Sequence, residues 1–225
     1  MNSVGKSIFS IVARVAGVVG LTLATAGVAS AMPVAAKPAG AACTDVDVVV
    51  ARGTAEPGIL GVIVGDPIYV ALQRAMTGRT TSAYRVNYPA DLNEPVSVQA
   101  GNRDLVDHVV AQANACPHQR FVIVGYSQGT NVVANSVGVS SDGALVGGPI
   151  AATLPEWVEP KVSALLMFGP PIRAAGRGIT GPYAGRTWEF CAAGDPVCQA
   201  WGINPFAHLS YIAHTPEAAS FAADR

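Results

Sequence analysis

Five short runs of β-branched, leucine or aromatic residues recur along this chain, at Asp47–Arg52, Ala83–Tyr88, Phe121–Val124, Ser163–Gly169 and Thr187–Phe190. Several are apolar at consecutive positions rather than alternating, the pattern of strands covered on both faces. Between them the apolar spacing changes to that of helices. Ile68, Leu72 and Ala75 fall on one stripe of Pro67–Met76; Val98, Leu105, Val106, Val109, Val110 and Ala113 do so over Val96–Ala115. Thr130–Ser136 follows the third strand as a helix, and Thr215-Pro216-Glu217 reads as an N-cap with proline at the first helical position of a closing alanine-rich helix. Val139–Pro155, rich in small residues, reads as a loop with at most a short helical turn. Strands alternating with helices predict one α/β domain, a three-layer α/β/α sandwich around a parallel sheet of about five strands.

The first 31 residues stand apart from this pattern. Lys6 and Arg14 precede an apolar run, Val15 to Val28, and Ala29-Ser30-Ala31 supplies the small residues that a signal peptidase accepts. The expectation is a signal peptide over 1–31; as an uncleaved anchor the run would be short for a membrane span, which needs about 20 residues. Cleavage leaves 225 − 31 = 194 residues, beginning with an Ala- and Pro-rich lead-in over 32–42. It also lowers the basic count from 14 to 12 against 15 acids, so the exported chain carries about −3 and has no basic excess for nucleic acid. Export to an oxidising compartment agrees with an even count of four cysteines, which suggests two disulfides in one of three pairings. Cys191 and Cys198 flank the turn-forming Gly194-Asp195-Pro196 and favour a local bridge, leaving Cys43 with Cys116. No C-x-x-C occurs and the histidines do not fall at ligand spacing, so neither a metal nor a cofactor is expected.

The chemistry gathers at Gly125-Tyr-Ser-Gln-Gly129, a G-x-S-x-G between the third strand and the helix behind it. That context is a nucleophile elbow, which makes Ser127 the candidate nucleophile. In this arrangement the acid follows a strand beyond the elbow and the histidine precedes the last helix. His108 and His118 come too early and read as surface residues, which leaves His208 and His214. His214 abuts the predicted cap, where the positive end of the helix dipole would disfavour an imidazolium, so His208 is the preferred base. Asp195, after the last strand and inside the Cys191 to Cys198 loop, is the preferred acid; Asp142, Glu156 and Glu159 lie too early. An oxyanion hole would use the N–H of Gln128 and a donor from the loop after the first strand, where Thr54 adds a hydroxyl and an Arg52 to Glu56 ion pair could hold the shape.

Ala51-Arg-Gly-Thr-Ala-Glu-Pro-Gly58, Asn87-Tyr-Pro-Ala90, Gly125-Tyr-Ser-Gln-Gly129, Cys191-Ala-Ala-Gly-Asp-Pro-Val-Cys198 and His208-Leu-Ser-Tyr211 together resemble the cutinase family in its actinobacterial form. The resemblance spans 43–225 and implies an α/β-hydrolase-type domain, Ser127, Asp195 and His208 as triad, Thr54 and Gln128 at the oxyanion hole, and disulfides Cys43 to Cys116 and Cys191 to Cys198. Thr54 departs from the serine of fungal members by one methyl. Only 195 − 127 = 68 and 208 − 195 = 13 positions separate the three residues, too few for a cap domain. Apolar residues flank the site in the loops, Ile59, Leu60, Val62, Ile63 and Val64 on one side and Trp201, Ile203, Pro205 and Phe206 on the other. They form a candidate rim for the acyl chain of a lipid or polyester. The expected protein is thus a secreted, extracellular or cell-wall-associated monomeric serine esterase, taking an ester or lipid substrate and holding no membrane span after signal cleavage. Acetylxylan esterase, thioesterase and phospholipase or mycolyl-ester hydrolase share the same catalytic parts, and a non-catalytic surface protein could keep the same fold.

Overall fold

The structure, a computed structural model, describes residues 43–225; the expected signal peptide and lead-in lie outside the described residues. Its elements are β1 (Val46–Ala51), α1 (Gly65–Ala75), β2 (Thr81–Arg85), α2 (Val96–Ala115), β3 (Arg120–Tyr126), α3 (Gln128–Ser136), β4 (Val162–Phe168), the short α4 (Pro171–Ala174), β5 (Thr187–Phe190) and α5 (Thr215–Ala223). Short stretches of 3₁₀ helix occur at Glu156–Lys161, Gly181–Arg186, Pro205–Leu209 and Tyr211–His214. The five strands form one sheet in the order β2-β1-β3-β4-β5, every pair parallel.

The three layers follow from the consecutive apolar positions. In β1, Val46, Val48 and Val50 point to one face and Val49 and Ala51 to the other; Val122 and Val124 against Phe121 and Ile123 divide β3 in the same way. One face is covered by Val98, Leu105 and Val109 of α2 with Val132 and Val133 of α3. Ile68 and Leu72 of α1 with Ala218, Ala219 and Ala222 of α5 cover the opposite face. Each face therefore has its own core, and the strands tolerate no polar interruption except where a partner is supplied. Asp47, 2 % exposed in β1, is such a case: it accepts from Ser82 Oγ at 2.6 Å and meets His108 Nε2 at 2.7 Å.

β1 sends its chain towards β2, whereas β3 leads on to β4 and β5, so the sheet reverses its strand order between β1 and β3. In such open parallel sheets the crevice beyond the carboxyl ends of the strands at that switch point is where ligands bind. The loop after β1 and the turn after β3 both open there.

Two boundaries depart from the predicted ones for physical reasons. β2 ends at Arg85 rather than Tyr88, because Tyr88 leaves the sheet to donate its hydroxyl to Arg52 O. Thr215 opens α5 instead of capping it: its Oγ1 donates to Ile212 O at 2.9 Å, and His214 occupies the cap position without a side-chain bond. Both predicted disulfides are present, Cys43 to Cys116 and Cys191 to Cys198. Among the described residues no helix is long and apolar enough to cross a membrane.

Candidate active site

Ser127 sits between β3 and α3 at φ 53° and ψ −123°, a conformation that costs a non-glycine residue on the order of 1–3 kcal/mol. Its surroundings hold it there. Ser127 N donates to Phe168 O on β4 at 2.9 Å, and Ser127 O accepts from Thr130 N at 2.9 Å and Thr130 Oγ1 at 2.6 Å. The glycines on either side have no room for a side chain. A Cβ at Gly125 would lie 2.7 Å from Thr130 Cα, and one at Gly129 would lie 1.9 Å from Ala51 O. The elbow is therefore wedged between β1 and its own helix, and it leaves the serine 8 % exposed at the carboxyl end of the sheet.

Asp195 and His208, both from segments after β5, meet at the same end of the sheet. His208 Nδ1 lies 2.8 Å from Asp195 Oδ2, and the carboxylate is fully buried. Asp195 Oδ1 accepts from Val197 N at 2.8 Å, and Oδ2 also accepts from Tyr211 OH at 2.5 Å. The Cys198 sulfur, oxidised and without a proton, packs 3.2 Å from the same oxygen. The imidazole is placed by Tyr126, whose ring stacks on it at 5.1 Å between centroids and whose hydroxyl donates to His208 O at 2.6 Å. Burial first, then the Asp195 hydrogen bond and charge, drive the Tyr211 hydroxyl far above the ordinary phenol range; burial does the same to Tyr126. Both phenols thus stay donors. Among the described residues the Ser127 hydroxyl makes no hydrogen bond, although it and His208 line one cavity of about 360 Å³. Tyr211, quoted in sequence only as part of a motif, proves to share the carboxylate with the histidine.

His214 is elsewhere. Its ring lies tilted against Phe190, 31° between planes and 3.8 Å between centroids, and approaches Glu217 at 4.0 Å. His118 is exposed as expected, but His108 is not a plain surface residue: it pairs with Asp47 and stacks flat on Tyr84 at 3.5 Å.

The loop after β1 reaches the cavity with Thr54, and Gln128 takes the first position of α3, where the N–H has no intrahelical partner. The Gln128 side chain turns inward, donating to Asp91 O at 2.7 Å and accepting from Ser97 Oγ at 3.3 Å. The suggested Arg52 to Glu56 ion pair is not formed. Arg52 instead donates to Tyr88 O and Pro89 O, each at 3.0 Å, while Glu56 accepts from Gly53 N and Ile63 N, each at 2.7 Å. Two separate clamps hold what one pair was expected to hold.

The cavity wall is mostly apolar, with Ile63, Leu92, Leu145, Val146, Val197 and Leu209 around Ser127. Of these only Ile63 was singled out in sequence. Leu145 and Val146 are brought in by Asn131 of α3, whose amide donates to both of their carbonyls, at 2.9 and 3.1 Å. Trp201, Ile203 and Phe206 are 96, 91 and 77 % exposed and stand on the segment leading to His208 without lining the cavity. Leu60 and Val64 pack into the core under the loop.

A serine in a strained elbow at the switch point of an all-parallel sheet, with no cap domain among the described residues, is the architecture of the α/β hydrolases. Comparison with known proteins narrows the class. A family model described as cutinase matches residues 42–225. A cutinase from Botryotinia fuckeliana is 36 % identical over 184 residues, covering 80 % of this chain and 82 % of that protein. The phospholipase Culp4 of Mycobacterium tuberculosis is 35 % identical over 197 residues, covering 86 % of this chain and 84 % of that protein. Among solved structures, Trichoderma reesei cutinase in complex with a C11Y4 phosphonate inhibitor superposes with a TM-score of 0.65 at 29 % identity, over 81 % of this chain and 76 % of that one. The chain belongs to the cutinase family, and with it to the carboxylic ester hydrolases.

Proposed function

We propose that the protein is a secreted serine esterase that hydrolyses carboxylic esters of lipid or polyester type through an acyl-enzyme on Ser127. The observation that carries this reading is the 2.8 Å contact of a fully buried Asp195 with His208 Nδ1, on the wall of the cavity that also holds the elbow serine. With Nδ1 engaged, Nε2 is the nitrogen left to accept the Ser127 proton. The hydroxyl oxygen then attacks the ester carbonyl, and the carbonyl oxygen becomes an oxyanion facing the N–H groups of Gln128 and Thr54 and the Thr54 hydroxyl. Collapse breaks the ester C–O bond, His208 Nε2 returns the proton to the departing alcohol, and a water repeats the sequence to release the acid. Extracellular or cell-wall location is supported by the two disulfides and by the signal-like residues 1–31.

The apolar wall of Ile63, Leu92, Leu145, Val146 and Leu209 supports an aliphatic acyl chain ahead of the acetyl group of a polysaccharide. The test is Ser127→Ala against a panel of soluble esters with graded acyl length. Turnover should fall at least about 10³-fold for every ester with the fold retained, and the wild type should prefer chains longer than acetyl. Retained turnover in a folded variant would sink the proposal.

A further inference from the structure

Glu56 is 6 % exposed and lines the cavity that holds Ser127, yet no step of the reaction uses it. Its two carboxylate oxygens grip the loop after β1 from both ends. Oε2 accepts from Gly53 N at 2.7 Å, while Oε1 accepts from Ile63 N at 2.7 Å and from Val64 N at 3.4 Å. The loop has been shaped around this group: a Cβ at Gly61, where φ is +119°, would lie 2.6 Å from Oε2. Within the tight turn the other donors are also taken, since Ala55 N reaches Ala90 O at 2.7 Å and Glu56 N reaches Gly53 O at 3.2 Å. Among the described residues the Thr54 N–H and the Thr54 hydroxyl have no partner, and Thr54 faces the cavity.

We propose that Glu56 is the positioning residue of the oxyanion segment: its carboxylate, held by N–H groups from both ends of the loop, fixes the turn so that, of the turn's residues, Thr54 presents its free donors to the developing negative charge beside the Gln128 N–H. This rests on the serine-esterase reading and deepens it. A carboxylate fits the task better than an amide, because all three donors pointing at it are N–H groups and a carboxamide would turn its own N–H₂ towards one of them. The groups facing Glu56 are consistent with an ion held by hydrogen bonds rather than by a counter-charge. Arg52 at the end of β1 is engaged with Tyr88 O and Pro89 O, Asp66 of α1 accepts from Leu60 N, and the phenols of Tyr88 and Tyr126, both buried, donate to Arg52 O and His208 O. Burial raises the Glu56 carboxyl above its ordinary range, Asp66 adds to the rise, and the N–H groups of Gly53, Ile63 and Val64 oppose it.

The test uses Glu56→Gln, Thr54→Ala and the double variant, with kcat for 4-nitrophenyl butyrate expressed per site titrated by a fluorophosphonate. Glu56→Gln should lower kcat roughly 10- to 100-fold with KM within about threefold, since removing one oxyanion donor costs on the order of 10²–10³ in kcat. Thr54→Ala should cost clearly less when added to Glu56→Gln than alone, because both changes act through the same donors. Full kcat per titrated site in Glu56→Gln, or an undiminished Thr54→Ala cost in the double variant, overturns the proposal. Gly61→Ala provides a second route, pushing the carboxylate without altering its charge or Thr54; it should reproduce the loss in kcat alone, and an unchanged kcat overturns the proposal equally. Turnover surviving Ser127→Ala would instead refute the underlying esterase reading, so the two failures are distinguishable.

Discussion

Tyr211→Phe removes one oxygen from the middle of the site and nothing else. That hydroxyl donates to Asp195 Oδ2 at 2.5 Å and accepts from Ala192 N at 3.1 Å, and the residue is fully buried against Phe168, Phe190 and Tyr126. A hydrogen bond to a charged group contributes about 1.5–3 kcal/mol, and a buried N–H left without an acceptor costs about 1–3 kcal/mol. The expected loss of stability is therefore about 2.5–6 kcal/mol, which in a domain of this size lowers Tm by about 5–20 °C. Activity should fall as well, because Asp195 would keep only His208 Nδ1 and Val197 N as donors. Sites of this kind tolerate roughly 0.5 Å of misplacement, so kcat should drop about tenfold or more while KM for a small soluble ester stays within about threefold. Since burial and the Asp195 charge hold the phenol protonated well above its ordinary range, the deficit should be constant between about pH 7 and 9. The assay is thermal unfolding paired with initial rates across that range. A variant with unchanged Tm and unchanged kcat would refute the claim that this bond supports the carboxylate.

Replacing Cys191 and Cys198 together by serine opens a seven-residue loop, with a stability cost of about 2–3 kcal/mol from the unfolded chain alone. It should also lower kcat, because Asp195 lies inside that loop; full kcat in the folded double variant would show the bridge to be irrelevant to the site. Glu56 yields a stability effect with a definite sign. Its folded pKa is raised above the unfolded value of 4.5, so the folded state binds more protons just above that pH, and wild-type stability should decline as pH rises through the raised pKa. Glu56→Gln should lack that decline, as read by urea unfolding at a series of pH values, and parallel curves for the two proteins would contradict it.

Much of the fold was legible because its strands are buried on both faces. Runs such as Val48-Val-Val50 and Ala164-Leu-Leu-Met-Phe168 carry apolar residues at consecutive positions, and only a covered parallel sheet accepts them. The elbow was legible because glycine is compelled at 125 and 129, where an added Cβ would come within 2.7 Å of Thr130 Cα and 1.9 Å of Ala51 O. What escaped were features created by distant backbone carbonyls and N–H groups. Tyr88 leaves β2 for Arg52 O, Glu56 grips Gly53 and Ile63 instead of Arg52, and Asn131 draws Leu145 and Val146 into the cavity wall. None of these partners is written in local spacing. His108 was misjudged for the same reason, since its partner Asp47 lies 61 residues away, on a strand that reads as wholly apolar but for that one carboxylate.

The central claim is that Ser127 is the nucleophile and His208, rather than His214, its base. The most direct measurement is the rate of fluorophosphonate labelling followed by peptide mapping, on the wild type, His208→Ala and His214→Ala. The adduct should appear on Ser127 in the wild type, form at an unchanged rate in His214→Ala, and slow by about 10³-fold or more in His208→Ala. An adduct on another residue, or labelling that survives loss of His208 and fails on loss of His214, would contradict the account.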